Sequence, residues 1–300
     1  MNQQADPKTL DFVVIGAQKA GSTFVMQCLQ DHPNIYMPHG ETPFFQDPDY
    51  ATDRIHILEK EVAPAKANQL RGIKRPNYLG QAEVPERIAK HMPGGKIIAV
   101  LREPVSRAIS AYFHFLLAGH IPLVPVNQGL RAILAGEWKS RYPLSETILT
   151  YGLYDQHLQR YARHFTPEQT RVIVLDDVGK DPDRVVQSLY RFLGVDDTIA
   201  PKRTEQRPMA ARYSLNRLRI YSLLRPLIFS TSPDRSRIHA RPGTKYLRYG
   251  IGAFDQLILA RLFPATKPPI EGDVKQALKA YFEKDVEQLR VRLSHPLEGW

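Results

Sequence analysis

Apolar residues fall along this chain in two periods. Three short continuous runs, Phe12 to Ile15, Lys96 to Leu101 and Arg171 to Leu175, read as strands buried on both faces. A smaller apolar piece around Gly72, Ile73 and Lys74 adds a candidate fourth. Between these runs the period changes to that of a helix. Phe24, Val25, Cys28 and Leu29 predict a helix over 22–31, and similar spacing predicts helices over 84–91 and 105–118. The stretch 144–164 carries Leu144, Ile148, Leu149, Leu153, Leu158 and Tyr161 at helical spacing. Asp181-Pro182 opens a helix over 183–193 that Gly194 ends, and an amphipathic helix closes the chain over 273–292. Strands alternating with helices predict an α/β fold with a parallel sheet flanked by helices.

The first strand-to-helix junction carries the most chemistry. The strand stops at Gly16, and Gly21-Ser22-Thr23 opens the following helix. Such a junction gathers unpaired backbone N–H groups at a helix N-terminus, where the dipole favours an anion. The spacing is that of a phosphate-binding G-x-x-x-x-G loop. In nucleotide triphosphatases, however, a Lys follows the second glycine. Here Ser22 occupies that place and the cation, Lys19, lies inside the loop. The loop therefore predicts phosphate-like binding by Lys19, Ala20, Gly21, Ser22 and Thr23, without triphosphatase chemistry.

The pattern G-x-x-K-x-G-[ST]-[ST] resembles the 5′-phosphosulfate loop of sulfotransferases that use 3′-phosphoadenosine 5′-phosphosulfate. A second segment, Leu101-Arg-Glu-Pro-Val-Ser-Arg-Ala-Ile-Ser-Ala-Tyr112, is similar to that family's 3′-phosphate motif. The resemblance places Arg102 and Ser110 on the 3′-phosphate, where a planar guanidinium fork and a hydroxyl suit phosphate oxygens. Further landmarks run to Gly194, and the last third of the chain matches more loosely. The resemblance implies a P-loop-like sheet, in-line sulfuryl transfer, and Lys19 as the cation at the bridging oxygen. Gly40-Glu41-Thr42-Pro43-Phe44-Phe45 is similar to the acidic-aromatic motif of the carbohydrate, heparan-type members, which puts the catalytic base on Glu41. A carboxylate serves this role where burial, here beside Phe44 and Phe45, raises its basicity. His39 is the rival base. Lys74-Arg75-Pro76-Asn77-Tyr78 resembles a K-x-P-x-Y element whose Lys, here Lys74, assists at the transferring group or the acceptor. Arg75 stands where a small Thr or Ser is usual. Arg107 is either a further phosphate contact or an i,i+4 partner of Glu103, and His114 reads as a packing residue.

Composition narrows the remainder. With 300 residues and 43% hydrophobic content, the chain suffices for a single domain, read here as a donor-binding core over 1–195 and a basic, mostly helical acceptor or lid region over 196–300. The single cysteine, Cys28, lies on the apolar side of the first helix and reads as core. The ten histidines show no metal-ligand spacing, so no metal is expected. The polar start and the lack of any apolar run near 18 residues predict a cytoplasmic protein, with peripheral membrane contact as the variant. The net charge of +10 comes from one segment, since residues 200–250 hold 12 Lys and Arg against Glu205 and Asp234. Tyr213 to Phe229 predicts a basic amphipathic helix inside it, with little strand signal around. That segment reads as a solvated face, as an anion-attracting rim, or as a surface for anionic lipid; the rim is favoured over the membrane. Nucleic acid is disfavoured, because no base-stacking or groove-reading motif accompanies the charge. The expected partner is a glycan, glycolipid or other small-molecule acceptor. Two alternatives stand: a P-loop kinase using Asp176 or Asp177 for Mg²⁺, and a non-catalytic protein binding anionic lipid or polyanions.

Overall fold

Neighbouring side chains of the first strand go to opposite sides of a sheet, and both sides are covered. The computed structural model describes residues 10–202, 214–231, 238–264 and 267–300. In chain order, β1 (Phe12–Gly16) leads to α1 (Ser22–Gln30), β2 (Ile35–Tyr36), α2 (Ile55–Val62), β3 (Leu70–Lys74), α3 (Val84–His91) and β4 (Lys96–Leu101). Helices α4 (Pro104–Ala118), α5 (Val126–Leu134), α6 (Thr147–Thr150) and α7 (Tyr154–Tyr161) precede β5 (Thr170–Val174), α8 (Leu175–Lys180) and α9 (Pro182–Leu193). Then come α10 (Leu215–Ile228), β6 (Phe229–Thr231), β7 (Ile238–Ala240), α11 (Lys245–Phe254), α12 (Ala260–Leu262) and α13 (Gly272–Leu293). The chain divides into two units interleaved in sequence, one from 1–103, 153–208 and 285–300, the other from 104–152 and 209–284.

The first unit holds a five-stranded parallel sheet in the order β2-β3-β1-β4-β5. Val13 and Ile15 of β1 join Ile97, Ala99 and Leu101 of β4 on one face, packed with α2, α3, α7 and the end of α13. Phe12 and Val14 join Ile98 and Val100 on the other, under α1 and α9. Burial on both faces explains why these strands read as unbroken apolar runs. Cys28 is fully buried in the second layer, as its place on α1 predicts. The α/β, parallel, helix-flanked reading of the sequence holds. The carboxyl ends of β1, β3 and β4 lie side by side at the centre of the sheet, the usual place for a ligand in such folds.

The second unit is mainly helical. Tyr112 of α4 lies against Gly129 of α5, where an added Cβ would fall 2.1 Å from its oxygen, and donates to the Val124 carbonyl at 2.9 Å. Arg217 of α10 and Asp255 form a buried, two-point ion pair. The stretch 144–164 is not one helix. A 3₁₀ turn over Pro143–Glu146 and the short α6 stop before α7 begins at Tyr154. Gly152 sits at the break, a poor helix former whose missing Cβ leaves room for the Phe282 ring, 2.7 Å from where it would stand. The basic helix predicted over 213–229 appears as α10, although Tyr213 lies outside the described residues. The β6–β7 hairpin and α11 also occupy this basic segment, which carries little strand signal in sequence.

Candidate active site

Sharp turns carry the chain from β1 to α1. Gly16 takes φ +140°, and a Cβ there would lie 2.4 Å from the Pro76 carbonyl oxygen, so only glycine fits. Gly21, the α1 N-cap, takes φ +92° with Leu175 Cδ1 where its Cβ would point, at 2.7 Å. Between them Lys19 adopts φ +68°, a left-handed conformation that non-glycine residues rarely take and that clusters at binding sites. Such turns direct main-chain N–H groups toward one concavity. No side chain caps α1 and no acidic residue stands in its first turn, so its N-terminal N–H groups and dipole remain for an anion. Ser22 is buried and Thr23 exposed; Ala20, within the loop, is fully buried.

Three cations stand around this cradle. Lys19 is held in the loop with its ammonium driven below 10.5, chiefly by burial and then by the Arg102 charge, while Glu41 pulls it back up. Arg102, one residue past β4, donates through Nη1 to the Lys19 carbonyl at 3.4 Å. Its own carbonyl accepts from Tyr154 Oη at 2.8 Å, which fixes the strand end. Lys74, the last residue of β3, is only 2% exposed. Its ammonium donates to Thr23 Oγ1 at 2.8 Å and to Glu41 Oε1 at 3.2 Å. One lysine thus ties the start of α1 to the candidate base.

The segment around Glu41 is anchored behind the carboxylate. The Thr42 N–H donates to the Lys74 carbonyl at 3.0 Å, and Thr42 Oγ1 donates to Glu61 Oε2 at 2.6 Å. Tyr78 Oη donates to the Thr42 carbonyl and accepts from the Phe45 N–H at 3.0 Å. Burial pushes the Tyr78 phenol well up, so it stays a neutral donor. Phe44 and Phe45 are buried in the core, whereas the Glu41 side chain is 39% exposed. The expectation that these rings would bury Glu41 is therefore corrected: they turn into the sheet's core and fasten the segment. What surrounds the carboxylate is charge, with Arg75 Nη1 donating to Oε2 at 2.8 Å.

The structure thus brings together Lys19, Gly21, Ser22, Thr23, Glu41, Lys74 and Arg102 within the first unit. Ser110 is buried in α4, in the second unit, and Arg107 of the same helix is fully buried and donates through Nη2 to the Ile148 carbonyl. His114 is exposed, with its ring near Phe115, which corrects its reading as a packed residue. His39 is exposed on the same loop as Glu41. The acidic pair considered for a metal is engaged by the chain's end: Trp300 Nε1 donates to Asp176 Oδ2 at 3.3 Å and His295 Nε2 meets Asp177 Oδ2 at 3.1 Å. Among the described residues no group of three or more His, Cys, Asp or Glu is arranged to hold a metal ion. Sequence reasoning missed Gln46, whose Oε1 accepts from Arg75 Nε at 2.9 Å, and Asn77, whose Oδ1 accepts from Gln18 of the loop at 3.1 Å. No local pattern marks Gln46, and Asn77 fills an unspecified position of the K-x-P-x-Y element, so neither contact could be read from the sequence.

Comparison with known proteins gives the family. Residues 9–222 match the family model described as a sulfotransferase domain. The chain is 27% identical over 191 residues to heparan sulfate glucosamine 3-O-sulfotransferase 3B1 of Homo sapiens, covering 63% of this chain and 47% of that protein. It is 26% identical over 191 residues to bifunctional heparan sulfate N-deacetylase/N-sulfotransferase 1 of Caenorhabditis briggsae, covering 61% and 22%. The matches thus span less than half the length of these two curated relatives. Among solved structures, a sulfotransferase from Alicyclobacillus acidocaldarius has the same fold, with a TM-score of 0.67 at 22% identity over 99% of both chains.

Proposed function

The chain belongs to the sulfotransferase domain family, and on that premise we propose that it transfers a sulfuryl group from 3′-phosphoadenosine 5′-phosphosulfate to a carbohydrate or glycolipid hydroxyl or amine. One observation carries the reading. Lys74 joins Thr23 at the anion cradle to Glu41, beside Lys19, so donor-binding groups and a proton acceptor share one network.

In this reading the α1 N-terminus, with Ser22 and Thr23, receives the 5′-phosphate, and Lys19 lies at the bridging oxygen. Negative charge grows on that oxygen as its bond to sulfur breaks, and a desolvated ammonium stabilises it more than one in water. The acceptor oxygen or nitrogen forms the new bond to sulfur and yields its proton to Glu41. The products are the sulfated acceptor and adenosine 3′,5′-bisphosphate. Arg102 receives the 3′-phosphate, as the sequence motif implies. The sequence shared with two heparan sulfate enzymes supports a sugar acceptor. Loops set acceptor choice, and they diverge most.

Calorimetry of adenosine 3′,5′-bisphosphate, with and without Mg²⁺, tests the donor site in wild type and Arg102→Ala. Metal-independent binding that weakens at least about tenfold in the variant is expected, as for loss of a charge-assisted phosphate contact. A preference for a triphosphate with Mg²⁺ would overturn the reading. Labelled sulfate passing to phenols, and to no sugar or glycolipid, would overturn the acceptor class.

A further inference from the structure

The helical segment from Lys245 to Leu262 buries a narrow seam and turns its broad apolar side outward. It runs through α11, a π-helical stretch over Asp255–Leu259, and α12. Ile251, Asp255 and Leu259, spaced four apart, face inward. Arg217 engages the Asp255 carboxylate at 2.6 and 2.7 Å, so the one acid among the described residues of 214–264 is matched inside the unit. Outward stand Tyr246 (83% exposed), Leu247, Tyr249, Leu257 (60%), Ile258 and Leu262 (65%). Helix α10, which packs on this segment, exposes Leu223 and Leu227 as well. A helix on a solvated surface carries its polar side outward, and a concentration of exposed apolar side chains marks an interaction surface.

Charge selects the partner. Lys245 and Arg261 are exposed along the same segment, and Arg219 along α10. A rim that attracts a sulfate donor gains from cations and hydrogen-bond donors, and gains nothing from exposed Leu and Ile. Basic residues interleaved with Leu, Ile and Tyr are what an anionic bilayer surface recognises: the apolar groups enter the headgroup boundary, Tyr sits at its level, and the cations meet lipid phosphate. No helix among the described residues is long and apolar enough to cross a membrane, so the contact is interfacial. We propose that the exposed face of Lys245–Leu262, with α10, docks this protein onto an anionic lipid bilayer. The proposal is independent of the acceptor and of the transfer chemistry.

Flotation of the full chain with vesicles tests it. Binding is expected to vesicles of phosphatidylcholine mixed with phosphatidylglycerol, and to be about tenfold weaker to phosphatidylcholine alone or in raised salt. The triple variant Tyr246→Ser/Leu257→Ser/Leu262→Ser, and separately Lys245→Glu/Arg261→Glu, should each lose at least about tenfold in vesicle binding. Unchanged bisphosphate binding and circular dichroism would show that both variants remain folded. Three results would overturn the proposal. The wild type could bind neither vesicle, the triple variant could bind as wild type does, or sedimentation could reveal a dimer that the triple variant dissociates, in which case a second copy covers this face.

Discussion

Arg75 donates through Nη1 to Glu41 Oε2 at 2.8 Å, on the carboxylate oxygen that Lys74 does not hold. Consecutive residues leaving β3 thus fix both oxygens of the candidate base, and Gln46 fixes the guanidinium in turn. The pair faces solvent, with Arg75 22% and Glu41 39% exposed, so it contributes only about 0–1 kcal/mol to stability. Its larger effect is on geometry, since a proton acceptor must be oriented within reach of the reacting group. Arg75→Ala is expected to leave thermal unfolding and bisphosphate binding nearly unchanged while kcat falls about tenfold. An equal loss of nucleotide affinity would instead place Arg75 on the donor.

Glu41→Gln keeps the shape and one acceptor oxygen, and removes the carboxylate proposed to take the proton. The expected result is a fall in kcat of about 10²-fold or more, the usual scale for loss of a general base, with bisphosphate still bound. Single-turnover transfer from preloaded donor reads the chemical step directly. Retained activity would shift the role to His39, exposed on the same loop, and His39→Ala would then have to abolish it.

The geometry of the candidate donor loop was legible because it is local: Gly16, Lys19, Gly21 and Thr23 lie within one strand, turn and helix start. The links that join it to the base were not. Glu41 and Lys74 are 33 positions apart, and Lys74 and Thr23 are 51 apart; the Thr42–Lys74 main-chain bond brings the first pair together and the parallel pairing of β1 with β3 the second. Arg75 stood out in sequence as a departure from a motif, yet its partner could not be read, because the turn after β3 decides where a long side chain reaches. Likewise β2 is two residues long and owes its existence to pairing with β3, which no periodicity can announce.

Lys19 gives a pH dependence with a definite sign. Its ammonium lies below 10.5, so between the lowered value and 10.5 the unfolded chain binds more protons than the folded one. This lysine therefore costs stability at lower pH, and that cost is relieved as pH rises through the window. A phosphate in the cradle favours the charged form, so nucleotide binding is coupled to proton uptake on the alkaline side and weakens as pH approaches 10.5. Calorimetry of adenosine 3′,5′-bisphosphate in two buffers of different ionisation heat measures that uptake. Lys19→Arg, whose guanidinium stays charged, is expected to abolish it. Uptake that persists in the variant would assign the titration to another group.

Gly16 and Gly194 separate strain from crowding. Both hold positive φ, +140° and +82°, but a Cβ on Gly194 meets nothing within 4 Å, whereas on Gly16 it would stand 2.4 Å from the Pro76 carbonyl oxygen. Gly194→Ala should therefore cost only about 1 kcal/mol, the left-handed penalty at a helix end. Gly16→Ala adds a clash between two backbones that cannot rotate away, for a total of about 2–6 kcal/mol when strain and overpacking combine. The displaced groups are the candidate donor loop and the turn at Pro76 that follows Lys74 and Arg75, so the variant should also lose bisphosphate affinity wherever it still folds. Urea unfolding alongside nucleotide calorimetry checks both. Equal destabilisation by the two substitutions would show that the loop and the β3 turn are not held together at Gly16.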